Sequence, residues 1–388
     1  MRRLVKTVAA HGLRAAGAPR VIGALNGRRR APLVVCYHRV VEDLRAHPLS
    51  APAMMVSART LLEQLDWLGR RFRLVPLEEA VREAGGDGDG GAPRGGRPAA
   101  AVTFDDGYAD VYEVALPLLR RKGVPAAVFV VTDLLGTRRL QVHDRLYALL
   151  ALCRARFGTS DLVAVLRRVG TGERVCRRLE EGRGTLAEVT EHLLVSWPRS
   201  EVERLIAGLE RLDEVEIPPE TAEALRPMTW EMVGDLHREG VTIGSHTRSH
   251  RILPNETAAD VRDELTGSKR ALEERLGAGI DHLSYPAGQF SPGAVEAARA
   301  AGYRHAFTTC HHRAPEHPEL TIPRRTFWEG SGAGWIASFS PAVAACQVAG
   351  VFDAWRACST DHGLGSGAGT GLQGGRLHRA GPDEGAAS

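Results

Sequence analysis

Residues 99–110 read AAAVTFDDGYAD: an uncharged run, 99–104, leads straight into two adjacent carboxylates, Asp105 and Asp106, followed by Gly107. A short apolar run that stops at turn residues reads as a buried strand meeting a loop. Two neighbouring carboxylates at the mouth of an apolar core repel each other and resist desolvation, and a bound cation is the obvious remedy. The alternative is an Asp-Gly turn carrying two solvated acids.

Working outward, β-branched runs alternate with amphipathic helical stretches from residue 32 onward, the pattern of a parallel sheet or barrel with helices outside. Strands are expected at 32–37, 99–104, 126–131, 241–245, 282–285, 305–309 and 320–323, with a shorter one at 72–75. Ser57 is expected to cap a helix burying Leu61, Leu62, Leu65 and Leu68. Asn255 is expected to open another, ending near Gly277, with Val261, Leu265, Leu272 and Leu276 inward. Three segments break the rhythm. Residues 85–98, GGDGDGGAPRGGRP, read as a flexible surface loop. Residues 138–225 carry Leu, Arg and Glu at helical spacing and no strand, so they read as a helical insertion, either a lid or an outer layer with no contact to substrate. Residues 359–388 are rich in Gly and Ser and read as disordered.

A second polar strand end lies at 241–250, VTIGSHTRSH, where His246 and His250 stand four residues apart. That spacing brings two imidazoles to one side of a helical turn, and it means little without context. The context is that this pair and the Asp pair both follow the carboxyl ends of expected strands, the face on which barrels build their sites. Together they offer an Asp, His, His set with open positions, a catalytic-type arrangement for Zn²⁺ or a similar divalent ion.

TFDDGY at 103–108, SHTRSH at 245–250 and SYPAG at 284–288, in this order in an α/β chain, resemble the polysaccharide deacetylases with a NodB-type domain, carbohydrate esterase family 4. The resemblance spans about residues 32–327 apart from the insertion. It implies a distorted (β/α)7 barrel and removal of acetyl groups from sugars with a divalent metal, zinc being the expected ion; with the segment at 138–225, the expected fold is α/β, a distorted (β/α)7 barrel with a helical insertion. Carried over by position, Asp105 is the general base, and Asp106, His246 and His250 hold the metal. The chemistry agrees with that division: an amide carbonyl is a poor electrophile, so metal polarisation and an acidified water both help, and a carboxylate beside the water can take its proton. Ala287, after Pro286, is implied as the backbone donor to the oxyanion.

For the general acid the candidate is His38, which ends the first strand in VVCYHRV and resembles the Tyr-His strand end of the poly-N-acetylglucosamine deacetylase branch. The competing reading is a strand-end histidine bonded to backbone. His311 and His312 are second candidates. Where many relatives carry an Arg that orients the catalytic Asp, this chain has Ser284. Arg324 or Arg325, at the end of LTIPRR, could replace it, or could equally cap a strand end.

The domain plan is therefore a basic amphipathic segment at 1–31, the deacetylase domain at 32–330 with the insertion at 138–225, a helical extension at 331–358 and a disordered tail at 359–388. Lys and Arg total 50 against 47 Asp and Glu, a net charge of only +3, which excludes the strong positive field of a nucleic-acid binder. No apolar run approaches the roughly 18 residues of a membrane span. The six cysteines are dispersed with no CxxC pair and fit a reducing compartment. Residues 1–30 hold Lys6 and seven Arg without an acid. They read either as a solvated helix or as a segment resting on anionic lipid through Leu4, Val8, Leu13, Val21, Ile22 and Leu25. The expected partners are a carbohydrate or glycolipid substrate and an anionic membrane surface. The expected location is cytoplasmic, at the membrane periphery, with export by an atypical signal as the alternative. Two other functions fit the same scaffold: an amidohydrolase of a small non-sugar amide, and a non-catalytic carbohydrate-binding protein. The presence of Asp105 beside a full ligand set argues against the second.

Overall fold

The computed structural model describes residues 2–25, 32–85, 96–212, 215–310, 313–334, 338–351 and 362. Its strands are β1 (Leu33–Tyr37), β2 (Arg39–Val41), β3 (Met55–Ser57), β4 (Arg73–Leu74), β5 (Ala99–Phe104), β6 (Ala126–Val130), β7 (Thr242–Ser245), β8 (His282–Ser284), β9 (His305–Thr308), β10 (Ile322–Pro323) and β11 (Arg325–Thr326). Every residue of β1, β5 and β6 is buried, as expected of parallel strands covered on both faces. The main sheet is parallel throughout, in the order β10-β9-β8-β7-β6-β5-β1-β11, with β4 on β5. β10 and β11 are consecutive in the chain with only Arg324 between them, yet one pairs with β9 and the other with β1. That crossing makes the sheet a nearly closed, distorted (β/α) barrel. The short pair β2 and β3, like β11, carries too few residues to show a pattern in the sequence.

The Ser57 hydroxyl accepts from the Thr60 amide and opens helix Ala58–Gly69, whose Leu61, Leu65 and Leu68 are buried against the barrel. The other expected start is corrected. Helix Ala258–Leu276 begins at Thr257, whose side chain accepts from the Asp260 amide, and ends at left-handed Gly277. Asn255 instead closes the 3₁₀ turn Leu253–Asn255 and points elsewhere.

The insertion is helical: Val142–Phe157, Thr159–Arg168, Glu173–Glu180, Leu186–Ser196 and Arg199–Leu209 enclose an apolar core of their own that includes Leu146, Leu166, Leu193 and Ile206. Asn255 ties it to the barrel. Its side-chain amide donates to Val195 O at 2.9 Å and Trp197 O at 3.1 Å, satisfying carbonyls left open where helix Leu186–Ser196 ends. Close by, the Arg199 amide donates to Glu256 at 2.9 Å, and the Arg199 guanidinium donates to Ser249 O at 2.8 Å. Asn255→Ala strands those carbonyls and is expected to cost about 1–3 kcal/mol in denaturant unfolding.

Of the loop expected at 85–98, Gly85 closes helix Leu77–Gly85, and residues 86–95 lie outside the described residues. Helices Arg2–Ala15 and Ala18–Leu25 lie against helix Pro341–Val348, so Leu13 and Ile22 pack on a cluster containing Val343 and Cys346, while Val8 and Val21 are exposed. In the stretch expected to be disordered, His362 is buried and stacks on Phe290 with centroids 4.2 Å apart; the rest of 359–388 lies outside the described residues. No helix among the described residues is long and apolar enough to cross a membrane.

Candidate active site

The turn after β5 begins with two left-handed residues, Asp106 at φ 72° and Gly107 at φ 70°. A Cβ on Gly107 would press on Val130 of β6, so the turn can lie this close only with glycine there. Among the described residues, the non-glycine positions with positive φ are Asp106, Thr247, His250 and Ala287. They belong to the three polar strand ends singled out in the sequence, and strained backbone of this kind collects where side chains must be aimed.

Asp105 and Asp106 face different partners. Asp105 receives a two-pronged ion pair from Arg324, Nη1 to Oδ1 at 2.8 Å and Nη2 to Oδ2 at 2.5 Å. Ser284 Oγ at 3.1 Å and Cys36 Sγ at 3.3 Å also donate to Oδ2. Burial alone would raise this carboxyl, but Arg324 and then His246 outweigh it and hold Asp105 well below the usual carboxylate range. Burial pushes the Cys36 thiol up, so it stays a protonated donor. Arg324 is wholly buried, with its guanidinium 5.3 Å from the Phe129 ring and bonded to Thr103 at 3.0 Å. Of the two arginines weighed as replacements for the missing orienting cation, it is therefore Arg324 that reaches Asp105.

Asp106 has no such partners. Both of its oxygens are buried without a hydrogen bond among the described residues, a costly state for a carboxylate. His246 Nε2 stands 3.4 Å and His250 Nε2 3.3 Å from Oδ1. His246 Nδ1 bonds Ser284 O at 2.7 Å, which leaves Nε2 free of its proton. Burial lowers both imidazoles, while the histidines around Asp106 hold its carboxyl low despite burial. Neutral imidazoles beside an ionised carboxylate are the protonation states a divalent cation requires. The three candidate ligand atoms lie within 4.8 Å of one another, so the structure brings together Asp106, His246 and His250 and their donor set fits a metal.

His38 lines the same cavity from the end of β1, and burial lowers its imidazole, so it rests neutral. Its Nδ1 is buried without a partner among the described residues, which sets aside the reading of a histidine satisfied by backbone through that atom. Ala287 lies on the cavity wall, exposed, at φ 52°. Its neighbour Gly288 must be glycine, because a Cβ there would meet the Thr309 amide nitrogen at 2.4 Å. His311 and His312 lie outside the described residues.

One site residue carried no sequence signal. His143, in the first turn of the insertion, sits with Nε2 3.7 Å from Asp106 Oδ2 and 2.7 Å from Tyr108 Oη. Tyr108 in turn donates to Asp144 at 2.6 Å and is buried, so it is not a platform for a sugar ring. The insertion therefore reaches the carboxylate pair itself. Helices Leu186–Ser196 and Arg199–Leu209 complete a cavity of about 310 Å³ over Asp105, Asp106, His246 and His250.

The structure resembles Streptococcus pyogenes deacetylase PplD, solved with acetate, at 14% identity over 77% of this chain and 93% of that one, with a TM-score of 0.47. It resembles IcaB from Ammonifex degensii at 18% identity over 82% and 97%, with a TM-score of 0.49. A polysaccharide deacetylase from Bacillus cereus matches at 15% identity over 82% and 68%, with a TM-score of 0.48. No curated protein matches the chain. In sequence, the family described as polysaccharide deacetylase matches residues 92–152 and 190–306. These segments contain Asp105, Asp106, His246, His250 and Ala287, and the break between them falls inside the helical insertion. The chain belongs to the polysaccharide deacetylase family, carbohydrate esterase family 4.

Proposed function

We propose that this protein is a metal-dependent hydrolase that removes the acetyl group from an N-acetylated sugar of a polysaccharide, oligosaccharide or glycolipid. The observation that carries the reading is the unequal treatment of two adjacent carboxylates. Asp105 is held by Arg324, Ser284 and Cys36, while Asp106 is buried with bare oxygens beside two imidazole nitrogens. Asp106, His246 and His250 would hold the ion, zinc being the expected one, and when bound it supplies polarisation of the acetamido carbonyl and acidification of a water. Asp105, ionised and off that ligand set, accepts the proton of the attacking water. Its low pKa makes it a weak base, so its contribution rests on position as much as on proton affinity. The Ala287 amide donates to the oxyanion as the carbonyl carbon becomes tetrahedral. His38, neutral at rest, can return a proton to the departing amine only after receiving one during turnover.

The test is acetate release from a panel of N-acetylated glycans and glycolipids, with and without chelator. Release from at least one sugar, lost on chelation and restored by added zinc, is the expected outcome. Release only from non-sugar amides, or release indifferent to chelator, would sink the reading.

A cytoplasmic placement, with the basic amino terminus touching anionic lipid, extends the proposal. Cys36, Cys153, Cys176 and Cys346 are buried thiols, in keeping with a reducing compartment. Fractionation checks it, together with binding to anionic vesicles, which is expected to weaken with added salt. A processed protein found outside the cytoplasmic membrane overturns this placement and leaves the chemistry of the site untouched.

A further inference from the structure

The cavity over the carboxylates has two unlike sides. The barrel side presents Asp105, Asp106, His38, His246 and His250. The opposite side, built by the insertion and the loop after His250, is mainly apolar, presenting Ala187, Leu194, Val195, Trp197 and Ile252, with Thr190 and Glu191 as polar exceptions beside Arg199 and Arg251. The cations near this wall are already engaged. Arg199 is bonded to Glu203 at 2.9 Å and to Ser249 O, and Arg251 is bonded to Glu256 at 2.8 Å. A sugar chain running along that side would therefore turn most of its hydroxyls toward carbon, losing hydrogen bonds to water with little replacement beyond Glu191. The wall also cannot collapse to hide itself, because the insertion has a separate core and is pinned by Asn255 and Arg199. Standing apolar surface that is continuous with a reactive centre is the mark of a ligand group of matching polarity.

We infer that the insertion wall receives an alkyl chain of the substrate, so that the preferred substrate is an amphiphilic N-acylated sugar in place of a bare polysaccharide. The inference rests on the proposed deacetylation only for the placement of the reacting amide. The apolar contact can be measured without turnover. Metal-free protein is titrated calorimetrically with methyl, butyl and octyl glucosides, which carry no amide, at concentrations below micelle formation. Octyl glucoside is expected to bind at least about 10-fold more tightly than methyl glucoside, with a negative heat-capacity change. Val195→Asn is expected to remove most of that gain, and Val195→Leu to keep it, with thermal melting of both variants confirming that they fold. Equal affinity for methyl and octyl glucosides, or a gain that survives Val195→Asn, overturns the inference.

The same methylene chain could enter as an aglycone or as a long N-acyl group. Octyl N-acetylglucosaminide and N-octanoylglucosamine, compared with methyl N-acetylglucosaminide, separate these sources. The substrate whose kcat/KM rises by about 10-fold or more identifies the origin of the chain. No rise with either, from an enzyme that turns over the methyl compound, also overturns the inference. Chain-dependent binding without acyl release from any compound would keep the alkyl site and remove the deacetylase reading.

Discussion

Asp105→Asn is expected to keep its divalent ion and to lose turnover, with kcat down by on the order of 10²–10⁴-fold, the range for removing a positioned general base. Asp106→Ala is expected to fail by the other route, losing the ion and the activity together. The difference follows from their surroundings. Asp105 already has Arg324, Ser284 and Cys36 as partners, so the amide of Asn changes its ability to take a proton and leaves the ligands alone. Asp106 offers a bare carboxylate whose Oδ1 stands 3.4 and 3.3 Å from the imidazole nitrogens of His246 and His250, so its removal takes a third of the set. Metal content after dialysis, measured beside kcat on both variants, separates the two. Loss of metal as the main defect of Asp105→Asn would mean that the carboxylates have been assigned the wrong way round. Asn also leaves Arg324 buried without its counter-ion, so the kinetics must be taken well below the melting temperature of the variant.

The parts of this site that could be read from the sequence are those in which an apolar strand stops abruptly at polar residues. β5 ending before Asp105 and Asp106, β7 ending before His246 and β1 ending before His38 all share this form. The rest depends on where distant segments meet. Arg324 looks like any arginine at a strand end until β10 and β11 are seen to bridge β9 and β1, which places its side chain inside the barrel rather than at a rim. His143 begins a helix in a segment whose Leu and Arg spacing describes only its own packing, and nothing local says that its first turn faces Asp106. Asn255 misled for a related reason. Asparagine is a good cap for the helix that follows, but Thr257 competes for that role two residues later, and the carbonyls ending another helix claim the amide. The choice between a lid and an outer layer for the insertion also changes form. It is a fixed wall of the cavity, held by hydrogen bonds to the loop that follows His250.

Arg324→Met is expected to destabilise the fold by about 3–5 kcal/mol at neutral pH, because it removes one partner of a buried ion pair and leaves the other uncompensated. Methionine keeps much of the volume between the Phe129 and Phe307 rings, so the loss is electrostatic more than a matter of packing. The pH dependence distinguishes the two. In the native protein Arg324 keeps the folded pKa of Asp105 below its unfolded value near about 3.9, so the pair contributes stability above that pH and loses it as pH falls toward the folded value. Without Arg324, burial dominates and the folded pKa of Asp105 rises above the unfolded one. The variant then carries its full penalty only at pH above that raised value, and recovers part of it on protonation as pH falls. The stability gap between native and variant protein, from denaturant melts of metal-free samples, should therefore be widest near neutrality and narrow toward pH 4. A gap that stays constant across this range would mean that Arg324 serves as packing. Asp105 would then owe its ionised state to His246, Ser284 and Cys36, and the orienting cation missing from the SYPAG segment would have no substitute in this chain.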